Sequence, residues 1–485
     1  MIDSQHSHSL KKKSVSAVLW SGGDAFLRQG LQFVVSIILA RLLTPEEFGT
    51  VALLYLFTGI AGVFIDSGFS AALVQRQDVT HTDESTVFWF SLGMGAATAA
   101  LLWLVAPWIA GFYGQPVLVP LTAILAISLL INSLGSIHMT LLTKRLDFKT
   151  PMKVGAAATS VSGLVAVGMA TSGFGIWALA SQVLAASIVT TALLWLLSRW
   201  RPALVFSLES ARRLFGFGGF LMASSLLDVA YNRLYTLLLG KLYGVRDLGL
   251  YTRADNTKQI PVDLLANTLS RVAFPIFSAA ASDREKLKRG LRLAIRGAML
   301  FNVPMMLGLM ATADNVILVL FGAQWLGAVP LLQVLCLAGV FWPLHVLNLN
   351  ALKAQGHSRL FFRLEIFKKI IGVAFIVAGV QFGVLGIAIS QVAFGALAFL
   401  INSHYTATML NYGWLQQLRD TSGIAFASFM MLCAVLVVGA YVDEAGTLKL
   451  ALQVATGVAV YLTLGWTLRL RAFSDARWMF SPRAS

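Results

Sequence analysis

Fourteen apolar runs of about 20 residues or more, separated by short polar segments, dominate this 485-residue chain. A helix needs roughly 20 such residues to cross the hydrocarbon of a bilayer, and within it every backbone N–H and C=O has to be satisfied inside the segment. The runs predict membrane-spanning helices over 16–41, 47–70, 85–110, 117–142, 153–173, 176–198, 215–239, 256–280, 289–313, 327–352, 362–381, 384–403, 421–441 and 448–470. A transmembrane barrel would instead show alternating segments of about ten residues. The expected class is an all-α polytopic membrane protein.

Composition closes off the other classes. Charged residues make up 12% and hydrophobic ones 57%, against about 25% charged in soluble domains. So few polar groups cannot cover a soluble enzyme of this size, and the chain is too apolar for disorder. Cys336 and Cys433 lie in apolar runs and read as small buried hydrophobes rather than a disulfide or a metal site. The polar, basic stretch Met1 to Lys13 leads into runs too long and too numerous for a cleaved signal peptide.

The net charge of +15 carries a topology signal. Lys and Arg accumulate on the cytoplasmic side of membrane proteins. With the N-terminus inside, 28 of the 37 Lys and Arg fall on that side. Six fall outside (Arg41, Lys241, Arg246, Arg253, Lys258 and Lys449), and Arg28, Arg233 and Arg271 fall within spans. Both termini are therefore expected in the cytoplasm. The basic excess reflects topology and attraction to anionic lipid headgroups, and no nucleic-acid partner is implied.

The chain also resembles itself. Residues 40–49 (Ala-Arg-Leu-Leu-Thr-Pro-Glu-Glu-Phe-Gly) match residues 240–249 in character at an offset of 200. Val119-Pro120-Leu121 recurs as Val329-Pro330-Leu331, and Ala180-Ser181-Gln182-Val183 as Ile389-Ser390-Gln391-Val392, at offsets of 210 and 209. The ordered matches point to a duplication of six spans. Copies with an even number of spans enter the membrane in the same sense, and parallel repeats place a substrate path at their interface. Two lobes, 1–200 and 201–410, are expected around a central cleft, with 411–485 as an added helix pair and a basic tail.

Ionisable residues at bilayer depth cost about 2.5–3.5 kcal/mol on insertion scales and so mark function. Asp24 and Arg28 lie in the first span, Asp66 in the second, Asp228, Asn232 and Arg233 in the seventh, and Asp263 and Arg271 in the eighth. These are the first two spans of each repeat. Arg28, Arg233, Arg271, Asp24 and Asp228 are the candidate substrate-binding residues, and Asp66 and Asp263 the candidates for ion coupling. A blander reading makes Asp24–Arg28 an intrahelical pair and lets Asp263 and Arg271 snorkel to the interfaces. Asn132, His138, His345, Asn348 and Asn350 read equally well as hydrogen-bonding groups between helices. No phosphate loop, zinc motif or Gly-x-Ser-x-Gly occurs, so no cofactor is expected, and an enzyme is disfavoured.

Several stretches resemble the polysaccharide transporter branch of the multidrug/oligosaccharidyl-lipid/polysaccharide (MOP) exporter superfamily. They are residues 39–49 and 66–76, Arg145-Leu146-Asp147-Phe148, Gly240 to Gly244, Leu248 to Ala254, and Ala273 to Ser278. The likeness covers the first twelve spans and is closest to Wzx-type flippases. It implies a bacterial inner-membrane protein that moves an undecaprenyl-pyrophosphate-linked oligosaccharide by alternating access. Coupling to a proton or sodium gradient, and polysaccharide assembly proteins as partners, are separate expectations. The likeness also implies that Arg28, Arg233 and Arg271 hold the anionic headgroup. One departure is Arg233-Leu234-Tyr235, where relatives often carry Asn-x-Asp. The alternatives are a cation-coupled multidrug exporter of the same superfamily, for which the four aspartates speak, and a membrane glycan polymerase or ligase, which the short outside loops disfavour.

Overall fold

The computed structural model describes residues 29–442 and 446–470. Among them there is no strand. The helices run α1 (Gln29–Leu42), α2 (Pro45–Asp66), α3 (Phe69–Gln75), α4 (His81–Tyr113), α5 (Leu118–Lys144), α6 (Lys149–Thr171), α7 (Ile176–Leu197) and α8 (Leu208–Leu242). They continue with α9 (Val245–Ala279), α10 (Arg284–Ala311), α11 (Ala313–Phe321), a 3-10 segment Ala323–Ala328, α12 (Val329–Ala354), α13 (Ser358–Val380), α14 (Gly383–Leu410), α15 (Trp414–Tyr441) and α16 (Thr447–Thr467).

Each expected span overlaps a helix, and eleven spans among the described residues are long and apolar enough to cross a membrane. The protein is a multi-pass membrane protein. α9 and α13 fall short of that standard because charged residues interrupt them. α9 begins at Val245 rather than at 256, so Arg253 and Lys258, expected in an outside segment, are helix residues.

Local chemistry sets the helix ends. Thr44 and Thr80 each close a capping box, with Glu47 and Asp83 reaching back to the cap residue. Asp283 caps α10 by accepting from Glu285 N and Lys286 N, and these bonds, that from the Lys286 backbone first, hold its carboxyl below the usual range. α2 stops at Ser67 and Gly68, both left-handed with φ of 47° and 70°, and α3 restarts at once.

By packing, the chain divides into two units at Gly249/Leu250. α8 lies against α2, α3 and α4 in the first of them. The first unit has its aromatic core where Phe69, Leu73, Phe88, Ile137, Leu141, Trp200 and Leu214 meet. In the second unit, one cluster joins α10, α12, α14, α15 and α16 through Leu291, Ile295, Leu347, Phe399, Met431 and Tyr461. α15 and α16, expected as an addition outside the repeat, therefore help build the core of that unit. Tyr461 Oη donates to Leu300 O at 2.7 Å and Asn315 Nδ2 to Gln453 Oε1 at 2.9 Å.

Candidate functional site

Apolar helices in lipid gain little from the hydrophobic effect and associate through close packing of small residues. In the first unit that rule shapes α2. A Cβ at Gly68 would lie 2.1 Å from Gly218 O, one at Gly59 3.2 Å from Val229 Cγ1, and one at Gly240 2.2 Å from Leu53 Cδ2. The pairing order makes α8 antiparallel to α2. Beyond α8, the first turn of α9 meets the first turn of α2. A Cβ at Gly49 would sit 1.7 Å from Val245 O, and one at Gly249 1.9 Å from Pro45 O. Glu46 and Arg246 form an ion pair alongside (3.4 Å).

Along this seam, the middle of α8 carries Asp228, Asn232 and Arg233, all exposed. Arg233 lies within electrostatic reach of Tyr55 on α2. Asp66 accepts from Gly68 N at 3.2 Å and so closes the break between α2 and α3. Asp24 and Arg28 lie outside the described residues, as does the side chain of Arg271.

At the other end of α4, a second cluster fixes the segment joining α7 to α8. Asp83, 1% exposed, takes Arg213 Nη2 at 2.6 Å, and Trp200 Nε1 donates to Glu84 at 2.6 Å. Trp89 Nε1 donates to Ala203 O, Ala203 N to Ser85 Oγ and Ser207 N to Thr86 Oγ1. Behind this strap His138 is fully buried, its ring 5.1 Å from that of Trp195 and 5.3 Å from that of Trp200. Neither His138 nitrogen has a hydrogen-bond partner among the described residues.

The second unit holds charges that sequence reasoning missed. Arg253 is buried between the rings of Phe321 (4.6 Å) and Trp325 (4.7 Å). Lys258, packed against Gly339, pairs with Asp255 at 2.6 Å, and Gln259 donates to Asp263 at 2.8 Å. Lys368 on α13 is nearly inaccessible and is paired with Glu365, while Lys353 stacks over Phe361 at 4.1 Å. Both ion pairs are spaced i, i+3 within their helices. That spacing was the available signal, because an interrupted span invites one to read its charges as loop residues. His345 and Asn348 do hydrogen-bond between helices, to Asn402 and to Gln417. Among the described residues no cluster of His, Cys, Asp or Glu could hold a metal.

This architecture is that of the MOP transporters. It superposes on the structure of the lipid II flippase MurJ in an inward closed conformation with a TM-score of 0.75 at 16% identity, covering 93% of this chain and 98% of that one. An inward-facing multidrug resistance MATE family transporter of the same superfamily follows at 0.63 and 17%, covering 79% and 98%. Sequence narrows the class. The model of a family described as polysaccharide biosynthesis protein matches residues 38–330. The teichuronic acid biosynthesis protein TuaB of Bacillus subtilis is 30% identical over 94% of this chain and 96% of its own length. The succinoglycan biosynthesis transport protein ExoT of Rhizobium meliloti is 28% identical over 90% and 89%, and the lipopolysaccharide biosynthesis protein WzxC of Escherichia coli 27% over 79% and 78%. The chain belongs to the polysaccharide biosynthesis protein family.

Proposed function

We propose that the chain is a flippase for a polyprenyl-pyrophosphate-linked oligosaccharide, carrying it from the cytoplasmic to the periplasmic leaflet of the bacterial inner membrane. One observation carries this reading. A chain whose relatives are named for building envelope polysaccharides has the fold of a protein named for flipping a lipid-linked precursor.

The physics of the substrate supports it. Taking one unpaired hydroxyl from water into hydrocarbon costs about 4–8 kcal/mol, so an oligosaccharide head crosses unaided at a negligible rate. The protein has to offer polar groups for the head alone, since the polyprenyl tail can remain in lipid. In the first unit Arg233 and Asp228 are exposed in the middle of α8, with chemistry suited to phosphate and to sugar hydroxyls. In the second unit the Lys368–Glu365 pair sits beside Lys353 and Lys369, a local excess of positive charge suited to a pyrophosphate. Arg28, Arg271 and Asp24 complete the proposed set, with Asp66 and Asp263 as the carboxylates for coupling to a proton or sodium gradient. Both termini are placed in the cytoplasm on the Lys and Arg distribution, and the proteins that assemble the polysaccharide are the expected partners.

The test is deletion of the gene followed by separation of lipid-linked intermediates by membrane face. Complete repeat units accumulating on the cytoplasmic face are expected. Single units accumulating on the periplasmic face would assign the step to a polymerase instead.

A further inference from the structure

In a membrane protein, a helix face left open to lipid carries apolar side chains. Two helices of the second unit follow that rule. The exposed side chains of α13 include Phe367, Ile370, Val373 and Val377, and those of α15 include Phe426, Phe429 and Val437. α9 does the reverse. Among its described residues no large hydrophobic side chain is exposed, and from Leu250 on its open face is polar. Thr252, Asp255, Asn256, Gln259 and Asp263 recur at intervals of three and four residues and so share one side of the helix. Asn256 is exposed and the other four are partly exposed, whereas Arg253, Ala254, Thr257, Lys258 and Val262 on the remaining sides are buried.

Such a stripe does not lie against acyl chains, since polar and ionisable side chains at membrane depth face the protein interior or a water-filled passage. Its chemistry indicates what the passage holds. Asp255 is answered by Lys258 at 2.6 Å. Gln259 Nε2 donates to Asp263 Oδ1 at 2.8 Å, which leaves the amide oxygen as an acceptor. Two carboxylates against one ammonium give the stripe a surplus of negative charge, which repels phosphate. Arg253 does not offset it, being held between the rings of Phe321 and Trp325 on the buried side. Amides, a hydroxyl and carboxylates are instead the partners of sugar hydroxyls, each of which both donates and accepts. At 1.5 Å per residue the stripe runs about 16 Å from Thr252 to Asp263, long enough to meet several sugars in a row.

We propose that this face of α9 is a sugar-binding subsite, with Asn256 and Gln259 as its specificity-determining residues and Asp263 orienting the Gln259 amide. The proposal rests on the flippase reading above and divides the substrate within the second unit. The glycan is taken by the neutral and acidic groups of α9, and the pyrophosphate by Lys353 and Lys369.

Two measurements on the full chain test it. With Cys336 and Cys433 replaced by alanine, Asn256→Cys is treated with a water-soluble maleimide in open membrane fragments, beside Ile370→Cys on the open face of α13. Labelling at least tenfold faster at 256 than at 370 is expected, and equal rates would overturn the hydrated face whatever the protein carries. Equilibrium binding is then measured in detergent with three probes. They are lipid-linked repeat units extracted from the deletion strain, undecaprenyl pyrophosphate without sugar, and tetraphenylphosphonium, an organic cation. Asn256→Ala/Gln259→Ala should unfold at the wild-type temperature, bind the first probe at least tenfold more weakly and bind the second as wild type does. Lys353→Gln/Lys369→Gln should lose both. Wild-type affinity of the α9 variant for the glycan probe would overturn the subsite, as would equal loss of the first two probes or a loss confined to the cation. A wild type that binds neither of the first two, although position 256 is labelled, would remove the flippase reading and the subsite with it.

Discussion

Gly49 and Gly249, 200 positions apart in the sequence, pack against each other's helix. The first turn of α2 bears on the first turn of α9 so closely that a Cβ on either glycine would fall within 2 Å of the carbonyl of Val245 or Pro45. The offset of 200 found in the sequence thus reappears as a reciprocal contact, Pro45 with Gly249 and Val245 with Gly49. The Glu46–Arg246 ion pair joins a third pair of positions 200 apart.

Gly49→Leu and Gly249→Leu have no room without parting the two turns. Overpacking of this kind costs about 1–3 kcal/mol, and each variant should unfold at a lower temperature in detergent. Gly93→Ala is the contrast, because a Cβ there meets nothing within 4 Å inside α4. It should stabilise by about 0.5–1 kcal/mol. Similar thermal shifts for all three variants would contradict the packing described.

Arg213→Ala leaves Asp83 buried with its Ser210 and Thr80 partners but without the guanidinium. A hydrogen bond to a charged group is worth about 1.5–3 kcal/mol, so a loss of that size is expected, with partial recovery in Arg213→Lys. Unfolding by chemical denaturant in detergent, at neutral pH, measures it.

His138→Phe keeps an aromatic ring between Trp195 and Trp200 and removes two buried nitrogens that have no partner among the described residues. A buried unsatisfied polar group costs about 1–3 kcal/mol, so the variant should equal or exceed the wild type in thermal stability. Export should be unchanged. A loss of export at full stability would show that the imidazole has a role in transport.

Arg233→Ala and the double variant Lys353→Gln/Lys369→Gln each remove one part of the proposed headgroup contacts. Export should fall at least tenfold, the equivalent of about 1.4 kcal/mol, with the protein still present in the membrane by immunoblot. Normal export in both would remove those residues from the substrate path.

The helices were legible because a membrane span declares itself in a linear run of apolar residues, and the 240–249 segment was legible because it matches 40–49 in character. The break at Asp66-Ser67-Gly68 was not. Asp66 read as a membrane charge with a coupling role, and the structure gives its carboxylate a bond to Gly68 N. Arg253 and Lys258 were set outside the membrane because charge ended the apolar window. Their cover comes from Phe321, Trp325 and Gly339, residues more than 60 positions away.

What the sequence determined alone was the class of protein, since solvation of the backbone and of apolar side chains depends on composition read locally. Only the tertiary structure decided which charges are neutralised and by whom. A carboxylate such as Asp420 draws its partners from α10, over 120 positions away, and at atomic range electrostatics follows distance in space, not separation along the chain.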